Sequence, residues 1–307
     1  MTPRDQLKFN HARVLDGGMA TELEFLGEDI TGPLWSAHVL EESPEKILAV
    51  HRAYLAAGAD TILTASYQVS RKAYRDYGLS PDQADQALLR AVELAVEARS
   101  ELPSRPILVA ASLGPYGAAL HDGSEYHGNY HCTCAELVQF HQERIAVLAE
   151  SNADILAFET LPSIEEARAI GEALTPWPNL AVWLTFTCAD ETRVAHGEPV
   201  RDCAALAATF PQTIAIGINC TAPHLLPSLI AELKASSNKP IVLYPNSGEG
   251  WDAEHRCWIQ VPGQNDPATY GQQASQWYAQ GAQLIGGCCR TRPAHIHEVA
   301  AAIGPDD

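Results

Sequence analysis

Long hydrophobic runs are absent from this sequence of 307 residues. No apolar stretch approaches the roughly 18–20 residues that a transmembrane helix needs. The first residues, MTPRDQLKFNHARV, also lack the apolar core of a secretory signal peptide. We therefore expect a cytoplasmic protein that has no membrane partner.

Positive charge is scarce as well. Lysine and arginine together number 20, against 38 aspartate and glutamate residues, and the net charge is −18. The basic residues form no stripe, so a nucleic-acid partner is not expected. The acidity favours solubility and would weakly attract a cationic small molecule, but net charge alone says little about function.

Nucleotide-binding fingerprints and domain linkers are also missing. No GxGxxG follows the first apolar run and no GxxxxGKS/T occurs anywhere, so no nucleotide cofactor is expected. No tract rich in proline, glycine and serine divides the chain, which is long enough to bury one large core. We predict a single domain over residues 1–307.

Cysteine, by contrast, is well represented, with eight residues. An even number can indicate disulfides, but a chain of this length without a secretory signal more often keeps its thiols reduced. Reduced thiols can act as nucleophiles or as metal ligands. The positions of the cysteines therefore become the main question.

Eight short apolar runs recur along the chain, each followed by a loop and a stretch with helical features. Continuous rather than alternating apolar runs are typical of parallel strands buried on both faces. Eight strand–helix units in a chain of this size predict an α/β fold, the (βα)8 TIM barrel. A doubly wound open sheet is the alternative, because alternating strand and helix patterns do not distinguish the two. The runs are ARVLDG (12–17), DTILTAS (60–66), ILVAAS (107–112), DILAFE (154–159), AVWLTFT (181–187), TIAIGIN (213–219), PIVLYPN (240–246) and AQLIGG (282–287).

Helix boundaries are marked by local signals. Ser43-Pro44 and Ser80-Pro81 each offer an N-cap residue followed by proline at the first helical position. The segment from Ser163 to Glu166 fits a capping box, in which the two side chains cap each other's backbone. Three helix-to-strand joins carry glycine or asparagine where a left-handed helix C-cap is expected: Gly58, Asn152 and Gly281.

The carboxyl ends of the predicted strands, where TIM barrels build their active sites, bring three cysteines together. The sixth run leads into Cys220, and the eighth leads into Cys288 and Cys289. Adjacent residues on a strand point to opposite faces, so these two thiols reach one ion only where the backbone turns, and Gly286-Gly287 is expected to permit the turn. Three thiolates suit Zn²⁺ and leave a fourth position open, as in catalytic zinc sites. Inert packing or a strained vicinal disulfide is the alternative for the adjacent pair.

A second group of potential metal ligands lies in the segment HGNYHCTC, and comprises His127, His131, Cys132 and Cys134. The segment ends a long loop and matches no complete zinc-finger pattern. Solvated loop histidines and a cysteine at a helix start are therefore the preferred interpretation.

Motifs spread along the whole chain resemble one family, the homocysteine S-methyltransferases, and in particular the small enzymes that use S-methylmethionine. The resemblance runs from about residue 12 to residue 303. GINC followed by GGCC is specific, whereas DGG and FET alone would be weak. The same barrel occurs in betaine–homocysteine methyltransferase and in cobalamin-dependent methionine synthase, but no module for cobalamin is expected here. The motifs are DGGMATEL (16–23), LWSAHVL (34–40), TASYQ (64–68), GPYGAAL (114–120), DGSEY (122–126), FETLP (158–162), GINC (217–220), YPNSGE (244–249) and LIGGCCRTRPAHI (284–296).

The resemblance implies a role for particular residues. The zinc ligands, for one ion per chain, would be Cys220, Cys288 and Cys289. The positions that would bind homocysteine are Asp16, Gly17, Gly18, Trp35, Thr64, Tyr67, Glu159 and Asn246. The positions that would bind the methyl donor are Tyr116, Glu125 and Tyr126.

The resemblance also implies a reaction, the transfer of a methyl group from S-methylmethionine, or less well S-adenosylmethionine, to L-homocysteine. The partners would be these two small molecules. No catalytic side chain is expected beyond the metal-activated thiolate of the substrate, and the loop from Leu113 to His131 is expected to close over the donor. The alternatives are a betaine-type donor, hydrolytic zinc chemistry, and a protein that binds zinc and homocysteine without catalysis.

Overall fold

The structure, a computed structural model, describes residues 11–30, 36–252, 257–259 and 266–304. Eight parallel strands form its central sheet, and each corresponds to one of the apolar runs of the sequence. Along the sequence, a separate antiparallel pair of short strands falls between the seventh and the last barrel strand. The strands are β1 Arg13–Val14, β2 Thr61–Leu63, β3 Leu108–Leu113, β4 Ile155–Leu161, β5 Val182–Phe186, β6 Thr213–Asn219, β7 Ile241–Tyr244, β8 Gly250–Asp252, β9 Cys257–Ile259 and β10 Ala282–Ile285.

The central sheet closes into a barrel. Its strand order is β1-β10-β7-β6-β5-β4-β3-β2, and each strand in this order pairs in parallel with the next. The first and last strands of this order meet through two backbone hydrogen bonds, from Asp60 N to Val14 O (2.9 Å) and from Asp16 N to Thr61 O (3.0 Å). The predicted TIM barrel is thus confirmed and the open sheet is excluded.

Helices follow the strands and cover the outside of the barrel. None of the described helices is both long enough and apolar enough to cross a membrane. Short 3₁₀ turns add Tyr116–Ala119, Ser124–Tyr126 and Pro223–Leu225. The α-helices are Met19–Phe25, Ser36–Glu42, Pro44–Ala56, Arg71–Asp76, Pro81–Ser100, Cys134–Leu148, Ile164–Ala173, Val200–Ala208, Leu226–Ser236, Pro267–Gln280 and Pro293–Ile303.

The predicted helix boundaries are confirmed in part. Ser80 forms a complete capping box with Gln83, whereas Ser43 makes no side-chain capping bond. Ser163 accepts a hydrogen bond from Glu166 N (3.2 Å), but the Glu166 carboxylate does not return to the helix start, so the predicted capping box is wrong in its second half. The carboxylate instead accepts hydrogen bonds from Tyr116 and Tyr130, which are distant in the sequence.

The predicted left-handed helix ends are confirmed at two of three joins. Gly58 and Gly281 have φ angles of 107° and 113°. Asn152 is absent from the residues with positive φ, so this prediction was wrong. The preceding helix ends at Leu148, several residues earlier, and the intervening turn makes a left-handed residue unnecessary.

The barrel interior is a separate small core that ends beneath the polar groups of the strand ends. Because side chains alternate along a strand, Glu159 shares the inward face with Ile155 and Ala157. Tyr244 follows Val242 on the inward face of β7 in the same way. At the carboxyl ends of the strands, the apolar barrel interior is therefore bordered by the acid Glu159 and the phenol Tyr244.

Gly217 in β6 tests how tightly the barrel is built. A Cβ at this position would overlap the backbone carbonyl oxygen of Val242, which is unable to move without breaking the sheet. We expect Gly217→Ala to lower the free energy of unfolding by about 3 kcal/mol. Gly78→Ala is the control, because a Cβ there meets no atom within 4 Å and only the left-handed φ of 76° opposes it, at about 1 kcal/mol. Chemical denaturation measures the free energy of unfolding of both variants. Equal decreases in the two variants would contradict this packing.

Candidate metal and substrate site

Three cysteine sulfurs meet at the carboxyl end of the barrel. Cys220 directly follows β6, and Cys288 and Cys289 follow β10, two positions further round the sheet. The Sγ atoms of Cys220 and Cys289 are 3.6 Å apart, those of Cys288 and Cys289 are 4.0 Å apart, and all three lie within 4.8 Å of one another. A tetrahedral zinc ion with Zn–S bonds of about 2.3 Å requires sulfurs about 3.8 Å apart. The three thiols therefore fit one such ion.

Cys220 occupies an uncommon backbone conformation that aims its thiol at the other two. Its φ angle is 49°, in the left-handed region that costs a residue other than glycine about 1–2 kcal/mol. Hydrogen bonds hold it there, from Cys220 N to Tyr244 O (3.2 Å) and from Thr187 Oγ1 to Cys220 O (3.2 Å). Backbone strain that is held in this way is typical of functional sites.

The glycine pair before the cysteines has a different purpose from the one expected. Gly286 and Gly287 are absent from the residues with positive φ, and the left-handed turn lies after the cysteines, at Arg290 (φ 66°). A Cβ on Gly286 would lie 2.6 Å from Asp16 O, and Gly287 N donates to that same oxygen (2.9 Å). Gly286 thus lets the cysteine segment pack directly against the end of β1, whereas Gly287 lets it pack against Thr291.

Hydrogen bonds among the three thiols shift their pKa values in opposite directions. Hydrogen bonds from the Cys288 and Cys289 thiols lower the pKa of Cys220 well below its usual range. The same bonds to Cys220 raise the pKa values of Cys288 and Cys289 well above theirs. Ionisation is therefore easiest at Cys220, and a bound cation would favour the charged form of all three thiols.

The second group of potential metal ligands, in the HGNYHCTC segment, does not come together. Over the described part of the chain, only Cys220, Cys288 and Cys289 come close enough together to bind one metal ion. The His127 ring accepts a hydrogen bond from Asn129 N (3.1 Å) within its own turn. The HGNYHCTC segment is therefore a loop and a helix start, as preferred from the sequence.

Two acidic residues lie buried in the barrel mouth. Asp16 accepts a hydrogen bond from Leu63 N (2.8 Å), and burial raises the pKa of its carboxyl well above the usual range. Burial also raises the pKa of Glu159 to about 7, although the Ser112 hydroxyl donates a bond to its carboxylate. The two carboxylates repel each other, so a cationic ligand group between them would relieve both burial and repulsion.

Thr160, next to Glu159, is locked to the end of β6. Its φ angle is 59°, its N–H donates to Asn219 Oδ1 (2.7 Å), and its hydroxyl accepts from Asn219 Nδ2 (2.8 Å). Asn219 immediately precedes Cys220, so this pair fixes the acid relative to the metal ligand. The sequence showed Asn219 and Ser112 at strand ends but not what they bind.

Several other positions predicted to bind homocysteine have polar groups that are already hydrogen-bonded or closely packed within the protein. Gly18 N donates to Thr291 O (3.2 Å), so this amide is already paired. Gly17 is close-packed, since a Cβ there would lie 2.9 Å from Thr291 Oγ1. The Thr64 hydroxyl accepts a bond from Ser112 N (3.0 Å), and thus belongs to the internal network. Trp35 lies outside the described residues.

Two other predicted positions, Asn246 and Tyr67, differ in whether their polar groups already have a partner. The carboxamide oxygen of Asn246 is buried without a hydrogen-bond partner among the described atoms, and Asn246 N donates to Thr221 O (3.1 Å) beside Cys220. Tyr67 is half-buried, and burial, followed by the negative charge of Glu125, raises the pKa of its phenol. Asn246 therefore has a polar atom that a ligand could meet, whereas the Tyr67 hydroxyl already forms a hydrogen bond with Thr160.

The predicted donor residues separate into two places. The Tyr126 hydroxyl lies 3.7 Å from Cys220 Sγ. Glu125 is 5% exposed, its Oε2 atom has no partner in the described region, and burial raises its pKa to about 7. Tyr116, in contrast, packs its ring against Tyr130 and Phe140, with centroids 5.6 and 5.1 Å away.

Fold and site together define a class: a TIM barrel that presents three thiols and a buried pair of acids at its catalytic end. Comparison with known families agrees with this class and narrows it. The family model for homocysteine S-methyltransferase matches residues 13–303. The chain therefore belongs to the homocysteine S-methyltransferase family and is a methyltransferase.

Individual relatives support this membership over nearly full length. Homocysteine S-methyltransferase YbgG of Bacillus subtilis is 46% identical over 297 residues, 94% of this chain and 93% of the relative. Homocysteine S-methyltransferase of Escherichia coli is 44% identical, covering 94% of each chain. Selenocysteine Se-methyltransferase of Brassica oleracea is 42% identical over 93% of this chain and 87% of its own length.

Solved structures agree with the fold. The metallated form of the homocysteine methyltransferase MmuM from Escherichia coli has a TM-score of 0.85 at 42% identity, covering 97% of this chain and 99% of that one. The oxidised form of the same protein has a TM-score of 0.87 at 41% identity, covering 98% and 99%.

The three-thiol geometry predicts the effect of removing one ligand. Cys289→Ala leaves two sulfurs, so we expect the variant to lose bound zinc during dialysis against a weak chelator, whereas the wild type keeps one ion per chain. Cys134→Ala is the matched control, since that thiol lies at a helix start outside the site. Elemental analysis gives the readout, and stoichiometric zinc in Cys289→Ala would contradict the ligand set.

Proposed function

We propose that this protein transfers a methyl group from S-methylmethionine to the sulfur of L-homocysteine and forms methionine. S-adenosylmethionine would be a weaker donor. The observation that carries the proposal is the three-thiol group beside two buried acids at the mouth of a barrel of this family. A reducing, cytoplasmic setting would suit the three free thiols.

Cys220, Cys288 and Cys289 would hold one zinc ion, which the sulfur spacings of 3.6 and 4.0 Å accommodate. When bound, zinc would keep the homocysteine sulfur deprotonated at neutral pH, where a free thiol is only a few per cent thiolate. A neighbouring general base then becomes unnecessary.

Asp16 and Glu159 would bind the amino acid portion of homocysteine. Their carboxyls are buried and repel each other, so an ammonium group would be attracted between them. Thr64, Tyr67 and Asn246, with Gly17, Gly18 and Trp35, would enclose the rest of the substrate. Holding both reactants in one orientation contributes several kcal/mol to lowering the barrier.

Glu125 and Tyr126 would face the donor. A sulfonium ion is attracted to a buried carboxylate, and an aromatic face adds about 0.5–2 kcal/mol. In the transfer, a lone pair of the homocysteine sulfur forms the new bond to the methyl carbon. The old carbon–sulfur bond breaks and its electron pair returns to the donor sulfur, so two neutral thioethers result.

Other donors and roles predict different products. A betaine-type donor on the same barrel would give one methionine together with dimethylglycine. A binding protein without catalysis would retain zinc and homocysteine but form no methionine. Hydrolytic zinc chemistry is disfavoured, because three thiolates without a histidine ligand are atypical of such sites.

Product counting tests the reaction and the donor together. We expect zinc-loaded, reduced protein with S-methylmethionine to form two methionines per homocysteine consumed, one from each substrate. Parallel reactions contain S-adenosylmethionine or betaine, and chromatography measures methionine against time. Turnover with betaine alone would overturn the donor, and no methionine from any donor, with homocysteine still bound, would overturn the proposed catalysis.

The raised pKa of Glu159 predicts a pH-dependent substrate affinity. Below about pH 7 the carboxyl is protonated and neutral, so it attracts the substrate ammonium only as pH rises through 7. We expect the ratio of homocysteine Kd in Glu159→Gln to that in the wild type to increase roughly tenfold between pH 6 and 8, following the ionised fraction. Calorimetry measures both proteins, and the titration of the substrate thiol cancels in the ratio. A ratio that is constant with pH, or a variant with wild-type affinity, would remove Glu159 from the substrate site.

A further inference from the structure

The loop that carries Glu125 and Tyr126 is tied at both ends to one buried carboxylate. The 114–131 loop connects β3 to the helix Cys134–Leu148. Near its start, Tyr116 N donates to Glu166 Oε1 (2.5 Å); near its end, the Tyr130 hydroxyl donates to Glu166 Oε2 (2.9 Å). One fully buried acid on the following strand–helix unit thus holds both ends of the loop.

Glu166 is held in turn by a neutral bridge to a buried cation. His141 Nε2 lies 3.0 Å from Glu166 Oε1, and Arg144 Nη2 lies 2.9 Å from His141 Nδ1. Arginine only donates, so His141 Nδ1 accepts and its Nε2–H donates to Glu166. Burial lowers the pKa of His141, which agrees with a neutral ring, and Arg144 keeps its charge with a pKa of about 9.

Direct packing connects these anchors to the middle of the loop. A Cβ on Gly117 would overlap the backbone nitrogen of Glu125 and would lie 2.8 Å from the Tyr130 ring. The turn Ser124–Tyr126 therefore rests on the segment that Glu166 holds. That turn places the Tyr126 hydroxyl 3.7 Å from Cys220 Sγ. A shift of the anchors would consequently move Glu125 and Tyr126 relative to the thiols.

The departure from local capping chemistry supports a specific role for this acid. Ser163 and Glu166 have the spacing of a capping box, yet the carboxylate leaves the helix start and serves the loop instead. The Glu166 carboxylate therefore contributes hydrogen bonds to the loop rather than to the N-terminus of its own helix.

We infer that Glu166 is a positioning residue for the methyl donor: it fixes the 114–131 loop so that Glu125 and Tyr126 face the thiols, without itself contacting metal or homocysteine. The inference rests on the proposed function, because the donor is assigned to this loop there. It predicts that loosening the anchor weakens donor binding selectively. A residue with a purely structural role would affect donor, homocysteine and zinc alike, or none of them.

Tyr130→Phe is the mildest test, because it removes one hydrogen bond to Glu166 and keeps the ring. We expect the donor KM to rise about fivefold, while the homocysteine Kd, bound zinc and kcat at saturating donor stay within twofold of the wild type. Tyr74→Phe is the matched control, since it also removes a tyrosine–glutamate hydrogen bond, to Glu41 (3.3 Å), and that bond involves no residue of the loop. We expect its donor KM to be unchanged.

Substitution of Glu166 itself supplies a larger effect and a rescue. Glu166→Ala should raise the donor KM more than tenfold. Glu166→Gln should recover part of the loss, because its carbonyl oxygen still accepts from Tyr116 N–H. A homocysteine Kd that rises by the same factor as the donor KM, or a donor KM that stays at the wild-type value in Tyr130→Phe and Glu166→Gln, would overturn the inference.

Hydrogen exchange separates this inference from the proposed reaction. In Tyr130→Phe, the amides of residues 114–131 should exchange at least tenfold faster than in the wild type and in Tyr74→Phe, whether or not methionine is formed. Unchanged exchange would overturn the positioning role independently. Absence of methionine from the wild type would overturn the proposed function while leaving the anchoring of the loop to be decided by exchange.

Discussion

Three sulfur atoms that converge on one point impose the central constraint on this protein. Their spacings of 3.6 and 4.0 Å suit a shared cation, and hydrogen bonds from the other two thiols lower the pKa of Cys220 well below its usual range. Around this point the barrel mouth adds buried carboxyls rather than compensating bases. In the proposed reaction this site would attract positive charge twice, once as a metal ion and once as the ammonium or sulfonium of a ligand.

Rigid anchoring of the strand ends makes this arrangement possible. Thr160, Cys220 and Arg290 all adopt left-handed backbone conformations, and each lies beside a group of the site. Hydrogen bonds offset the cost: Asn219 binds Thr160, and Arg290 N donates to Thr21 Oγ1 (2.9 Å). The Arg290 guanidinium also pairs with buried Glu249 (2.6 Å). Strain is therefore concentrated where the functional side chains must point away from regular strand geometry.

Much of this architecture could be predicted from the sequence, because parallel strands leave continuous apolar runs and bring their carboxyl ends to one edge. That rule alone placed Cys220 near Cys288 and Cys289. Contacts between distant segments were not predictable. Gly286 is required because a Cβ there would overlap the end of β1. The Glu166 carboxylate binds Tyr116, in a loop 50 residues earlier, instead of capping its own helix. Tyr116 likewise joins an aromatic cluster that no local pattern announces.

X-ray absorption at the zinc edge would count the sulfur atoms bound to the metal. For reduced, zinc-loaded protein, we expect three sulfur neighbours and one lighter neighbour. On addition of homocysteine we expect four sulfur neighbours, as the substrate thiol takes the open position left by Cys220, Cys288 and Cys289. A sulfur count that stays at three with saturating homocysteine, or a first shell that contains histidine nitrogen, would contradict this expectation.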